Sequence, residues 1–245
     1  MKVAAILGEG KGGLVDQPDP EPKEDFVLVK VHLVPICTEY KGFQRGRVSD
    51  HLGHEAVGEV VEIAQPGQVK VGDRVVVQCN DGCGRGSLCH AGDHIHCQSG
   101  VGPGSRQPTY AQYLLKKDWL CSPIPDDISY KHAGMALCGL GPSLGAMQQI
   151  RVEATDTILI TGLGPVGLGG VINGSYRGAR VIAISDRADI LERAEARIQL
   201  PAGIPEWLSP IVAVVPGQLW ASALARAKGI DPDRPRGLSK VTLTR

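Results

Sequence analysis

The stretch His51-Leu52-Gly53-His54-Glu55-Ala56-Val57-Gly58-Glu59-Val60-Val61 decides how this chain is read. A His-Glu pair stands at the mouth of a valine-rich strand, with one glycine before it and another inside the strand. Upstream, the apolar run 26–36 ends at a lone thiol, Cys37. Downstream, Leu137-Cys138-Gly139 supplies another. Two thiols and one imidazole make a Cys2His set, a donor set suited to a catalytic zinc ion. Such an ion needs near-tetrahedral ligands at about 2.0–2.3 Å and keeps one position open. Strand ends and glycine turns can hold those ligands. Taken singly, a histidine beside a strand is an ordinary structural residue and a lone cysteine a small buried hydrophobe. The weight falls on the combination.

Composition narrows the class. At 245 residues the chain has material for one large domain or two ordinary ones. Glycine is abundant and aromatic residues are scarce, which suits an α/β protein with many tight turns. The 26 acidic and 26 basic residues cancel, without long runs of one sign, so neither nucleic acid nor an anionic membrane is expected as a partner. No stretch reaches the roughly 20 apolar residues of a membrane span. The opening Met1-Lys2-Val3-Ala4-Ala5-Ile6-Leu7 is too short for a signal peptide and reads as a first strand. Seven cysteines without a secretion signal favour metal or redox chemistry in a reducing cytoplasm over a disulfide framework.

The first half reads as short strands punctuated by Gly and Pro. Residues 2–7, 26–33, 56–63, 74–78 and 110–115 are the candidates, joined by turns such as Gln65-Pro66-Gly67 and Val71-Gly72-Asp73. No amphipathic helix of useful length precedes about residue 128, so a mostly antiparallel, barrel-like β domain is expected.

The segments Gly53-His54-Glu55-Ala56-Val57-Gly58-Glu59-Val60-Val61, Val69-Lys70-Val71-Gly72-Asp73-Arg74-Val75 and Thr109-Tyr110-Ala111-Gln112-Tyr113, in that order and spacing, resemble the zinc-type medium-chain alcohol dehydrogenases. The resemblance covers about residues 1–186. It implies a GroES-like catalytic domain followed by a Rossmann domain, with zinc in the cleft between them. It makes Cys37, His54 and Cys138 the zinc ligands, with Glu55 in or beside the first shell. The family commonly reads Cys-Gly-Thr-Asp after its first ligand, and Cys37-Thr38-Glu39-Tyr40 is one residue shorter. The proton-relay hydroxyl falls on Thr38. The interval from Cys37 to His54 is also short, so the substrate-side loop 40–50 is trimmed or reshaped. The chemistry implied is that of a Lewis acid lowering the pKa of an alcohol oxygen, with hydride passing to a nicotinamide.

A second cluster holds Cys79, Cys83, Cys89, His90, Asp93, His94, His96 and Cys97. In the family this lobe carries a structural zinc on four cysteines, the first three separated by two residues each and the last following after seven more. Cys83, Cys89 and Cys97 match the first, third and fourth, while Gly86 stands at the second. A closed site needs four ligands. Cys79, His90, His94 or His96 could supply the missing one; otherwise the lobe holds free thiols.

Residues 127–151 contain the first helical stretch, and Asp156-Thr157-Ile158-Leu159-Ile160-Thr161 reads as a buried strand. Gly162-Leu163-Gly164-Pro165-Val166-Gly167 follows as a G-x-G-x-x-G turn, then a helix-length segment and a second strand, Arg180-Val181-Ile182-Ala183-Ile184-Ser185, ending at Asp186. Strand, turn, helix, strand and acid together form a dinucleotide fingerprint, with Gly162, Gly164, Pro165, Val166 and Gly167 at the pyrophosphate. Asp186 on the ribose favours NAD, and Arg187 beside it leaves NADP open. The glycines at 167, 169, 170 and 174 each cost up to about 1 kcal/mol in a helix interior, so that helix depends on packing.

After Asp186 the dehydrogenase resemblance stops, with two strands in place where a full nucleotide domain has about six. Residues 187–245, above all Asp231-Pro232-Asp233-Arg234-Pro235-Arg236 and Lys240, resemble the C-terminal end of sugar-phosphate isomerase (SIS) domains of the glucosamine-fructose-6-phosphate aminotransferase type. Lys240 matches that family's tail lysine, yet the base rate of lysine exposure favours a plain surface residue. Residues 186–198 are expected as a short helix or loop. Ser209 is read as an N-cap with Pro210 in the first turn, Pro216 as a kink or break, and Gly229 as the stop.

The expectation is therefore an α/β chain. It has a GroES-like domain at 1–138, a partial Rossmann half at 139–186 and an SIS-like segment at 187–245. Its function would be a zinc- and NAD-dependent alcohol or polyol dehydrogenase on a small-molecule alcohol, impaired by a truncated nucleotide domain. The alternatives are an inactive chimeric zinc- or nucleotide-binding protein and, with only the tail behind it, a sugar-phosphate isomerase relative. Oligomeric state stays open, a homo-oligomer included.

Overall fold

A computed structural model describes residues 1–79, 81–100 and 107–234. The chain divides into two compact units, Met1–Gly139 and Leu140–Arg245.

The first unit is built on β-strands. β1 (Lys2–Gly8) and β2 (Lys11–Asp16) form an antiparallel hairpin. β3 (Phe26–Leu33), β4 (Ala56–Ile63), β5 (Arg74–Val77), β6 (Tyr113–Lys117) and β7 (Cys121–Pro123) form one antiparallel sheet in the order β6-β3-β4-β5-β7. The inward positions explain why these segments are strands. Val27, Val29, Val60, Val75, Val77 and Leu114 are all nearly inaccessible to solvent and pack as one cluster. Their period-two spacing sends every second side chain inward, and burying each contributes about 1.5–3 kcal/mol. The helices here are short: α1 (Glu39–Gln44), α2 (Ser87–His90) and α3 (Tyr130–Ala133).

Strand limits differ from the sequence expectation at residues 110–115. The strand there is β6, Tyr113–Lys117, while Ala111 makes only an isolated bridge to Val3. Its end is charged but not solvated, since Lys116 is buried in an ion pair with Asp81.

The second unit begins with α4 (Gly141–Gln149) and continues through β8 (Thr157–Thr161), α5 (Pro165–Tyr176), β9 (Arg180–Ser185), α6 (Ala188–Leu191), β10 (Ala196–Gln199) and α7 (Ser209–Ala227). β8, β9 and β10 form a parallel sheet in the order β10-β9-β8. Two expectations are corrected here. Residues 186–198 are not only helix or loop, because after α6 the chain re-enters the sheet. The count of parallel strands is accordingly three among the described residues, with Ala196–Gln199 registered on Ile182–Ser185. The short strand Ala-Arg-Ile-Gln has too little apolar content to signal itself.

The glycines of α5 are explained by packing. Gly169, Gly170 and Gly174 are buried, and a Cβ on Gly170 would meet Ile160 Cδ1 at 3.1 Å, so the missing side chains let the helix lie close on the sheet. Pro216 does not split α7, which runs unbroken from Ser209 to Ala227. Gly229, at φ +69°, ends it, with the Ile230 N–H returning to Ala225 O. The N-cap position falls on Leu208 in place of Ser209. Of the isomerase-like tail motif, residues 235–245, Lys240 among them, lie outside the described residues. No helix of the described residues is long and apolar enough to cross a membrane.

Candidate metal and nucleotide sites

Cys37 lies beyond the end of β3, just before α1. His54 and Glu55 immediately precede β4, and Cys138 lies beyond α3 in the same unit. The ligand atoms of these four residues all lie within 4.8 Å of one another. Cys138 Sγ is 3.4 Å from His54 Nε2, and Glu55 Oε2 is 3.8 Å from the same nitrogen. Gly53 makes the approach possible. Its φ is +85°, and a side chain there would overlap Thr109 Oγ1 and the Tyr110 ring.

Each ligand is held by a second group. The Cys138 N–H donates to Glu55 Oε1 at 2.8 Å, which fixes the buried carboxylate. Glu39 does more. Its Oε1 is 2.8 Å from His54 Nδ1, while its Oε2 accepts the Cys37 N–H at 3.0 Å and the Tyr110 hydroxyl at 3.4 Å. A carboxylate on Nδ1 takes up the ring N–H and leaves the Nε2 lone pair facing the thiols, the usual arrangement behind a metal-bound imidazole. Neither Glu39 nor Tyr110 was picked out from the sequence. The signal was present, since Glu39 follows Cys37 where the family motif carries its aspartate. One residue is missing from the loop, and Glu39 has one methylene more. Thr38 is the exposed N-cap of α1, its side chain free of any capping bond.

The electrostatics of the cluster suit a cation. Burial pushes the Cys138 thiol far above the ordinary value, and the negative charges of Glu55, Cys79 and Cys37 push it further. Tyr110 is raised by burial and then by Glu39. Thiolates and a buried carboxylate repel one another, and a divalent cation between them turns that repulsion into attraction. The donor set therefore fits zinc. Cys79, at the end of β5, lies beside Cys138 and Glu55, and burial raises its thiol too. A cavity of about 400 Å³ borders this cluster, lined by Gly53, His54, Cys79, Thr109 and Leu114 among others.

The second cluster also assembles. The sulfurs of Cys83, Cys89 and Cys97 lie within 4.8 Å of one another, with Cys83 Sγ 3.9 Å from Cys89 Sγ. The Cys83 N–H donates to Cys97 Sγ at 3.3 Å. Backbone N–H groups of Arg85 and Gly86 hold the Cys83 thiol down to about 7. For Cys89, the pull of the Gly84 backbone is outweighed by burial and by the sulfurs of Cys97 and Cys83, and its thiol is raised.

In the second unit, the Gly162–Gly167 turn joins β8 to α5. Gly162 has φ +82°, Gly164 is the N-cap and Pro165 opens the helix. A Cβ on Gly167 would overlap the Gly162 carbonyl oxygen. An open recess of about 650 Å³ is lined by Gly162, Gly164, Pro165, Val166 and Gly167. Asp186 is exposed just past β9. Arg187 beside it donates to both oxygens of Asp189, at 2.9 and 2.7 Å.

Comparison with known proteins gives concordant matches. Residues 23–126 match the alcohol dehydrogenase GroES-like domain. The chain is 32% identical over 222 residues to an L-threonine 3-dehydrogenase of Coxiella burnetii, covering 86% of this chain and 64% of that protein. It is 29% identical over 197 residues to the sorbitol dehydrogenase of Bacillus subtilis, covering 76% and 56%. Among solved structures, an alcohol dehydrogenase from a Thermus species superposes with a TM-score of 0.72 at 25% identity, covering 84% of this chain and 65% of that one. The chain thus spans between 56% and 64% of the length of these two relatives.

Proposed function

We propose that the chain acts as a zinc- and NAD-dependent oxidoreductase on a small polar alcohol, a reading supported by the match of residues 23–126 to the alcohol dehydrogenase GroES-like domain and by the similarity to threonine, sorbitol and alcohol dehydrogenases. Amino alcohols and polyols are the substrate classes suggested by its relatives. Carrying this reading is the convergence of Cys37, His54, Glu55 and Cys138, whose ligand atoms share one small volume.

Cys37, His54 and Cys138 would hold zinc, with Glu55 able to exchange into the set. Zinc, when bound, supplies a Lewis acid that lowers the pKa of an alcohol oxygen. Glu39 orients His54 and fixes its tautomer. Thr38 is the hydroxyl proposed to take the substrate proton at Oγ1 and pass it toward solvent; its exposed place at the start of α1 supports that role. At the other unit, the N–H groups at the start of α5 would receive the pyrophosphate, and Asp186 the ribose hydroxyls. NAD, when bound, supplies the hydride acceptor. The Arg187–Asp189 pair supports NAD over NADP, because the guanidinium already has a carboxylate partner.

The similarity to threonine, sorbitol and alcohol dehydrogenases favours this reading over the isomerase one. A third parallel strand beside β9 is what a mononucleotide half requires. The test is NADH fluorescence titration together with NAD reduction against a panel containing L-threonine and sorbitol. NADH binding with turnover of one alcohol class supports the proposal. Zinc retained without NADH affinity would make the chain a non-catalytic metal-binding protein.

A further inference from the structure

The lobe between β5 and β6 retains three of the four thiols expected for a closed zinc site and lacks the one at residue 86. A Cβ on Gly86 would stand 3.6 Å from Cys83 Sγ, so this position faces the sulfurs and brings nothing to them. We propose that the lobe binds zinc as a Cys3His site, with His94 Nδ1 supplying the coordination that Gly86 cannot. This stands apart from the dehydrogenase reading and does not depend on it.

Four other donors lie near enough in sequence to be weighed, and the structure separates them. His90 is exposed at the end of α2. His96 is exposed as well, and its Nδ1 is 2.7 Å from Asp93 Oδ1. Cys79 lies with Cys138 and Glu55. His94 alone of these has a buried nitrogen, Nδ1, without a hydrogen-bond partner among the described residues. Buried polar atoms are nearly always paired, and one that is not calls for an explanation such as a missing ion.

Its position supplies the explanation. The point where a Cβ on Gly82 would stand is 2.8 Å from Cys89 Sγ and 3.1 Å from His94 Nδ1. The two atoms flank one small space, and any side chain at residue 82 would fill it. The Trp119 ring lies against the imidazole, with centroids 5.3 Å apart, and limits its freedom. Nδ1 stands outside the 4.8 Å set of the three sulfurs, so binding would draw the ring inward. Three thiolates and one imidazole form a closed tetrahedral zinc set. The N–H donors on Cys97 and Cys83 sulfurs, at 3.3 and 3.5 Å, are the outer contacts that support thiolates on a metal.

Cobalt(II) titration tests this in the full chain carrying Cys37→Ser and His54→Ala, which leaves the lobe as the remaining cluster. One cobalt should bind with the sulfur-to-metal charge-transfer band and strong visible bands of a tetrahedral ion. His94→Ala should weaken binding at least tenfold, on the order of an outer-contact loss or more. Adding Gly86→Cys, whose backbone at φ −87° accepts any residue, should restore it with an all-sulfur spectrum. In zinc-loaded chain of the natural sequence, the imidazole nitrogen shifts of His94 should show Nδ1 metal-bound and Nε2 protonated. Unchanged cobalt affinity and spectrum in His94→Ala, or a protonated Nδ1 in the zinc-loaded protein, would overturn the assignment. So would a loss in His94→Ala that Gly86→Cys fails to repair, which would leave His94 as packing for Trp119.

Discussion

Glu39 Oε1 stands 2.8 Å from His54 Nδ1, and the other oxygen of the same carboxylate accepts the Cys37 backbone N–H. One side chain thus ties two proposed ligands that lie seventeen positions apart in the sequence. It sets the imidazole tautomer and fixes where the Cys37 loop begins.

Removing that carboxylate leaves the ligands in place but unsupported. Glu39→Gln is expected to lower zinc affinity about 10–100-fold, the usual cost of an outer-contact loss. Glu39→Asp, a methylene shorter on a loop already one residue short, should fall between. Competition with a chromophoric chelator measures both.

The ordering of thiol reactivity provides a pH test. Cys83 is held at about 7 by backbone N–H donors, while burial pushes Cys121 up to about 12. In metal-free protein Cys83 should be alkylated by iodoacetamide with a half-maximal rate near pH 7, and Cys121 should stay inert there. A depressed thiol pKa stabilises the folded state in full above the ordinary value of 9.0, and that contribution is lost as pH falls through about 7. Cys83→Ser should lack this increment when melts of the metal-free proteins are compared across that window.

Gly167 tests the nucleotide turn. A methyl group there would overlap the Gly162 carbonyl oxygen, so Gly167→Ala should abolish NADH binding and destabilise the second unit by about 1–3 kcal/mol. Fluorescence titration and thermal melts together separate the two effects. If Gly167→Ala binds NADH as the parent does, the pyrophosphate does not sit at this turn.

Cofactor choice should respond to the charges past β9. Asp186→Ala is expected to weaken NADH binding about tenfold, the cost of losing one charged hydrogen-bond acceptor. Asp189→Ala, which releases Arg187 from its carboxylate partner, should shift preference toward NADPH. Parallel titrations with the two reduced cofactors read the ratio directly.

The strands that were legible in the sequence are those whose burial leaves a mark on composition. Phe26–Leu33 opens on four apolar residues and then alternates with Lys30 and His32, Ala56–Ile63 and Arg180–Ser185 are rich in valine and isoleucine, and all three have the expected limits. The strands that escaped lack that mark. Lys11–Asp16 begins with a charge and two glycines, Cys121–Pro123 is three residues long, and Ala196–Gln199 has two polar residues in four. Their strand character comes from partners already in place. The convergence of Cys37, His54 and Cys138 was legible because such residue types are rare and sit at motif positions. Glu39 was hidden because an acid in a loop is commonplace, and its role exists only where the fold brings it against His54. Gly86 was legible as a gap, but which residue fills it depended on seeing a buried nitrogen without a partner.

Counting zinc per chain tests the central claim most directly. Protein purified without chelator should contain zinc, and Cys37→Ser combined with His54→Ala should remove one equivalent while leaving whatever the Cys83–Cys97 lobe holds. Atomic emission on the folded parent and the double variant provides the two numbers. A parent free of zinc, or a double variant with the parent's full content, would contradict the assignment of Cys37, His54 and Cys138 as a single metal site.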